Sequence, residues 1–147
     1  MTKKNKKKST IHSGEATHFI TVDLDVISRQ KLAYLAEALG DSVFVLHEGR
    51  WKSRYAAILE LSFRSSTTAD GEIRRFLSLI KKLPEKARDL WDCAQTRIFN
   101  IGIQAGLHPH AHIVKISNKT IEDAAQLGAG VAITIYAPYT EANKRRT

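Results

Sequence analysis

One cysteine, Cys93, occurs in 147 residues, so no disulfide forms within the chain, and the redox compartment is read as cytoplasmic. No apolar run approaches the roughly 20 residues of a membrane span, and the basic start is not followed by the apolar segment of a secretory signal. A membrane partner is therefore not expected. There is no glycine-rich phosphate cradle: Leu127-Gly128-Ala129-Gly130 follows a helical pattern, whereas such cradles precede one. Nor is there the aromatic run of an RNA-recognition sheet. Outside its two ends the chain also lacks an excess of either charge. Five lysines (Lys3, Lys4, Lys6, Lys7, Lys8) and Lys144, Arg145 and Arg146 account for the whole formal charge of +8. The remaining 15 cations balance 15 acids. Basicity in tails rather than on a folded face fits solvated, disordered ends (1–16 and 140–147) or weak, salt-sensitive contact with nucleic acid.

What is present is a single α+β domain over 17–139. His18 to Val26 alternates, with His18, Ile20, Val22, Leu24 and Val26 on one face and Phe19, Thr21, Asp23 and Asp25 on the other. Ser28 is placed to cap a helix whose inward side is Leu32, Leu35, Ala36 and Leu39, with Gly40 ending it. Strands follow at Ser42–His47 and Arg54–Arg64, joined by a polar hairpin loop, 48–53, that carries Trp51. Thr68 or Asp70 caps a helix striped by Ile73, Phe76, Leu77 and Ile80. Pro84 breaks it and opens another, with Ala87, Leu90, Trp91 and Ala94 inward. Strands at Arg97–Gln104 and His110–Ile116, a helix capped by Ser117 or Asn118 with Ile121, Ala124, Ala125 and Leu127 inward, and a last strand at Val131–Tyr136 complete the domain.

These elements predict a mainly antiparallel sheet of about six strands with three to four helices on one face, in a ferredoxin-like arrangement. Two stretches share a pattern: Ile27-Ser28, helix, Leu39-Gly40, Val43-x-Val45, and Ile116-Ser117, helix, Leu127-Gly128, Val131-x-Ile133. Two duplicated strand–helix–strand units are one explanation; the frequency of Leu-Gly helix ends is the other.

The helix Phe76–Leu83, the strand Ile98–Ile103, and the ending Ile116-Ser117, Leu127-Gly128-Ala129, Val131–Tyr136 carry a family likeness. Over roughly 70–139 the chain resembles a widespread family of small bacterial domains with no assigned function. That resemblance implies a bacterial source and a fold, but no site residues. Many members have an acidic residue where this chain has Thr134, so any role of that position does not transfer.

Three groups are candidates for function. Asn100, Gly102 and Gln104 alternate with apolar residues and share a sheet face with Thr134 and Tyr136 if the last strand lies alongside. With Trp51, which sits among Arg50, Lys52 and Arg54, they form a face able to bind a protein or small ligand, or alternatively plain surface. His108, His110 and His112 could hold a divalent metal with His47 and Asp23, as a metal-binding protein or metal-dependent hydrolase. Against a shared ion, imidazoles two residues apart on a strand stand about 7 Å apart, and Pro109 turns the chain. Asp23 and Asp25 are a carboxylate pair on one strand face, suited to acid–base work or to guarding a sheet edge. Cys93 has no base beside it in sequence and reads as a structural thiol. The leading reading is a non-enzymatic binding module using the open sheet face; the metal protein and the tail-held nucleic-acid binder are the alternatives.

Overall fold

The computed structural model describes residues 16–64 and 66–139. The lysine and arginine tails, and with them the tail-borne nucleic-acid reading, lie outside the described residues. Nine regular elements follow in order: β1 (His18–Ser28), α1 (Ala33–Leu39), β2 (Val43–Trp51), β3 (Arg54–Leu61), α2 (Ala69–Lys81), α3 (Glu85–Cys93), β4 (Thr96–Gln104), α4 (Asn118–Gln126) and β5 (Gly130–Tyr136). A single 3-10 turn, Gly40–Ser42, links α1 to β2. The class is α+β, with five strands in the order β2-β3-β1-β4-β5. Every neighbouring pair is antiparallel except β4 and β5.

One sheet face carries the helices and the core. Val22, Leu24 and Val26 of β1, Leu59 of β3, and Phe99 and Ile101 of β4 are buried there against Leu35, Ile73, Phe76, Ile80 and Trp91. The helical stripes read from sequence at Leu32/Leu35/Ala36/Leu39 and Ile73/Phe76/Leu77/Ile80 are all buried. Thr68 caps α2 by accepting the Gly71 N–H, and Ser117 caps α4 by accepting the Thr120 N–H.

Four sequence expectations change. First, His110–Ile116 is not a strand. β4, the strand it follows in the chain, already has β1 on one side and β5 on the other, so no hairpin partner is left there, and among the described residues the nearby pairing is the isolated bridge of Ala16 and His108. Second, β1 contains an irregularity between Phe19 and Thr21. The extra residue there reverses the alternation, so that Phe19 packs against the core while Ile20 lies toward the open face. Third, Ser28 caps no helix: it ends β1, its Oγ accepts the Gln30 N–H, and α1 begins after Leu32. Ser117 by contrast is a true cap, and no strand precedes it, so the two similar sequence stretches have different geometry at their starts. Fourth, in α4 the buried positions include Thr120, Ala124 and Leu127, while Ile121 is 48% exposed and Ala125 is exposed.

Among the described residues no helix is long and apolar enough to cross a membrane.

Candidate functional site

The face opposite the helices is open, and its residues follow from strand register. Asp23 of β1 sits between Glu60 of β3 and Asn100 of β4, and Asn100 is level with Ala132 of β5. Gly102 and Gln104 are level with Thr134 and Tyr136. Between β1, β4 and β5 this face sinks into a cavity of about 300 Å³ lined by residues that include Thr21, Asp23, Asn100, Gln104, Thr134 and Tyr136. Gly102 forms its floor, where the absence of a side chain leaves room: a Cβ there would stand 3.8 Å from the Tyr136 ring.

Five of the six residues that the sequence assigned to a ligand face, Asn100, Gly102, Gln104, Thr134 and Tyr136, therefore line one cavity. Trp51 does not. It shares the open face but ends β2, at the far edge of the sheet, where its ring meets His47 edge-on at 5.5 Å. The expected six-residue hairpin loop is also tighter than predicted. β2 runs through Trp51 and β3 starts at Arg54, so only Lys52 and Ser53 turn the chain, with Lys52 at φ 56°.

Most polar groups of the cavity are already committed to one another. Thr134 donates through Oγ1 to Asn100 Oδ1 at 2.8 Å, and Asn100 Nδ2 reaches Asp25 Oδ2 at 3.5 Å. Gln104, only 5% exposed, donates to the carbonyls of Ala105 and Ala137 at 3.0 and 2.9 Å, which ties the end of β4 to the segment after β5. Asp23 is the exception. Its Oδ1 is enclosed and meets no hydrogen-bond donor among the described residues.

The electrostatics follow from that geometry. Burial pushes the Asp23 carboxyl up to about 6, and the negative charges of Glu60, Asp25 and Glu72 add to the effect. Burial also raises Asp25, against which the Asn100 hydrogen bond works. Among the described lining residues Asp23 carries the only charge, and no lysine, arginine or histidine lines the cavity. Neither Thr21 nor Tyr139, both in the lining, was singled out from sequence. Thr21 was legible as the residue before the Asp23 face position, whereas Tyr139 lies beyond the last strand and has no periodic signal.

Linkage gives the sign of the stability effect. A carboxyl whose folded pKa is raised prefers its neutral form, so that contribution is complete below about 3.8 and lost as pH rises through about 6. The shift corresponds to roughly 3 kcal/mol if taken whole, and solvent screening of this half-buried group reduces it to about 1 kcal/mol. Asp23→Asn is therefore expected to be more stable than wild type by about 1 kcal/mol near pH 8 and indistinguishable from it near pH 4. Urea unfolding at both pH values checks this; an equal difference at the two would show that burial of the charge is not the cause.

The metal candidates are not gathered. His110 and His112 are exposed in an irregular segment after a cis His108–Pro109 peptide, His47 lies on β2 and Asp23 on β1. Among the described residues no group of three or more His, Cys, Asp or Glu side chains is placed to hold a metal ion. Asp23 and Asp25 are on one face as expected, but β1 is the central strand, so they guard no sheet edge, and the charges that bear on Asp23 are those of Glu60, Asp25 and Glu72. Cys93 is exposed.

No family model, curated protein or solved structure matches this chain.

Proposed function

We propose that this protein is a non-enzymatic binding module whose open-face cavity takes a small ligand bearing a protonated amine or guanidinium. The observation that carries it is the enclosed Asp23 Oδ1, an acceptor that among the described residues has no donor, in a cavity whose described lining supplies no cation. A buried charge is stable when paired and hydrogen-bonded. A cationic N–H donor on the cavity side of the Asp23 carboxyl would pair its charge, with the enclosed Oδ1 reached by a turn of the carboxyl group. Tyr136 and Tyr139, 53% and 70% exposed at the rim, offer ring faces to the same cation. Asn100, Thr134 and Gln104 hold the walls through the hydrogen bonds they already make. Among the described residues the cavity presents one carboxyl with no histidine, cysteine or lysine in its lining, which favours binding over catalysis.

In this reading the module works in the cytoplasm of a bacterium. Its first four strands, ordered β4-β1-β3-β2 with β1 and β2 parallel across β3, support a ferredoxin-like unit to which α4 and β5 are added. The resemblance to small bacterial domains belongs to the same proposal and supplies no chemistry to it.

Calorimetric titration of the purified chain with short alkylamines and alkylguanidines, against alcohols of matched length, tests the reading. Amines and guanidines should bind and alcohols should not, with affinity rising as pH passes through about 6 and Asp23 ionises. Asp23→Asn should weaken binding about 10- to 100-fold, the equivalent of one charge-assisted hydrogen bond. Equal binding of amine and alcohol, or an Asp23→Asn variant with unchanged affinity, would sink it.

A further inference from the structure

β2 and β5 are the two edges of the sheet, and they are guarded unequally. β2 carries Glu48 and Arg50, and its ladder to β3 is broken by an irregularity between Val45 and His47. Charges and bulges are the features that keep an edge from pairing with another chain. β5, Gly130-Val-Ala-Ile-Thr-Ile-Tyr136, has no charge and no proline, and it runs level with β4 at every residue. Among the described residues its outer backbone groups face no strand. Val131, Ile133 and Ile135 are level with Phe99, Ile101 and Ile103 and so point to the helix side. The β4 residues are buried there, but Val131, Ile133 and Ile135 are 40%, 57% and 65% exposed.

We propose that β5 pairs antiparallel with β5 of a second copy of this chain, about a twofold axis through Ile133, joining two sheets into one of ten strands. Such an interface is isologous, so the strand must complement itself. Rotation about Ile133 sets Val131 opposite Ile135 and Ile133 opposite its own copy, which gives one unbroken aliphatic ridge on the helix side. On the other face Ala132 meets Thr134. No pair in the register is polar against apolar on the helix side, and none is charged.

Size and charge allow a second copy as well. The exposed surface of Val131, Ile133 and Ile135 on the helix side is on the order of 300 Å² before the backbone edge is counted, at the lower end of the size of functional patches. With that edge the strand offers less than about 600 Å² per partner, the range of reversible rather than permanent association. The formal charge of +8 lies in the tails, and β5 itself brings no charge to the contact. Thr134 and Tyr136 face the cavity side of the same strand, so pairing would place two amine cavities side by side on one continuous open face. The pairing itself does not depend on the cavity being a binding site.

Sedimentation of the full chain over a concentration series in the micromolar range tests the proposal. Wild type is expected to be dimeric and Ile133→Lys monomeric with an unchanged circular dichroism spectrum, since position 133 is exposed and a lysine there disturbs no core. In a Cys93→Ser background, Ile133→Cys should oxidise to a covalent dimer, and Ile135→Cys, whose opposite number is Val131, should not. A wild-type monomer throughout the range overturns the proposal, including the case in which β5 serves a foreign peptide instead. So does a dimer that persists in Ile133→Lys, or one in which Ile135→Cys cross-links and Ile133→Cys does not.

Discussion

Trp91→Ala is expected to destabilise the protein by about 3–5 kcal/mol, the cost of emptying a large aromatic site in a close-packed core. Trp91 is 0% exposed on α3. Its Nε1 donates to the Leu127 carbonyl at 2.9 Å, which is the end of α4. Arg97, at the start of β4, lies over the same ring at 5.9 Å and donates to the carbonyls of Trp91, Asp92 and Gly128. One aromatic and one guanidinium thus join α3, β4 and the turn into β5. Trp91→Phe keeps most of the buried ring but orphans the Leu127 carbonyl, and should lose about 1–3 kcal/mol. Urea unfolding measures both. A loss below about 1 kcal/mol for the alanine variant would mean that the site collapses around the missing ring and that this join is not structural.

The second large effect is expected at Glu72. β1 pairs with β3 only from Asp23 onward, because β3 ends at Leu61. Upstream, side chains take over the ladder. Glu72 Oε2 accepts the Val22 N–H at 2.6 Å, Arg64 donates to the Ile20 carbonyl, and Arg64 and Glu72 pair with each other. Glu72 is 1% exposed and Arg64 41% exposed, so the ion pair itself is partly screened. The main loss in Glu72→Ala is an enclosed Val22 N–H without an acceptor and an arginine without its anion, together about 2–4 kcal/mol. Glu72→Gln retains an acceptor for Val22 and should lose about half as much. Unfolding free energies at neutral pH decide it: if glutamine and alanine are equally harmful, the charge and not the Val22 bond is what matters.

Glu72 also shows where sequence reading stops. It stands four residues before Phe76 and eight before Ile80, on the buried stripe of α2. That spacing was visible, but its partner Val22 lies 50 residues away and Arg64 reaches it only through the fold of the loop before α2, and an acid near a helix start is ordinarily explained by the helix dipole. The stripes of α1 and α2 were legible because helical period and burial coincide there. So was the cavity side of β4, since alternation alone puts Asn100, Gly102 and Gln104 on one face and the turn of the chain brings Thr134 and Tyr136 level with them. The bulge at Ile20 and the unpaired His110–Ile116 segment were not legible. Both depend on which strands already occupy the neighbouring positions, and a local pattern does not carry that information. The histidines failed as a cluster for the same reason: spacing within one segment says nothing of what folds against it.

The parallel match of β5 to β4 has one more consequence. Strand side chains alternate with a period of two, so sliding β5 by a single residue would turn Thr134 and Tyr136 out of the cavity and bring Ile133 and Ile135 into it. The cavity would then have greasy walls and no hydroxyl to hold Asn100. Neither edge of β5 prevents that slide by itself, because its outer side carries no charge and no bulge. The alignment is held at both ends of the strand: Trp91 and Arg97 bond the carbonyls of Leu127 and Gly128 just before it, and the Ala105 N–H and the Gln104 amide bond the carbonyls of Tyr136 and Ala137 where it ends. The chemical character of the open face thus rests on hydrogen bonds placed at both ends of β5, and a protein that lost them would free the strand to change what it presents.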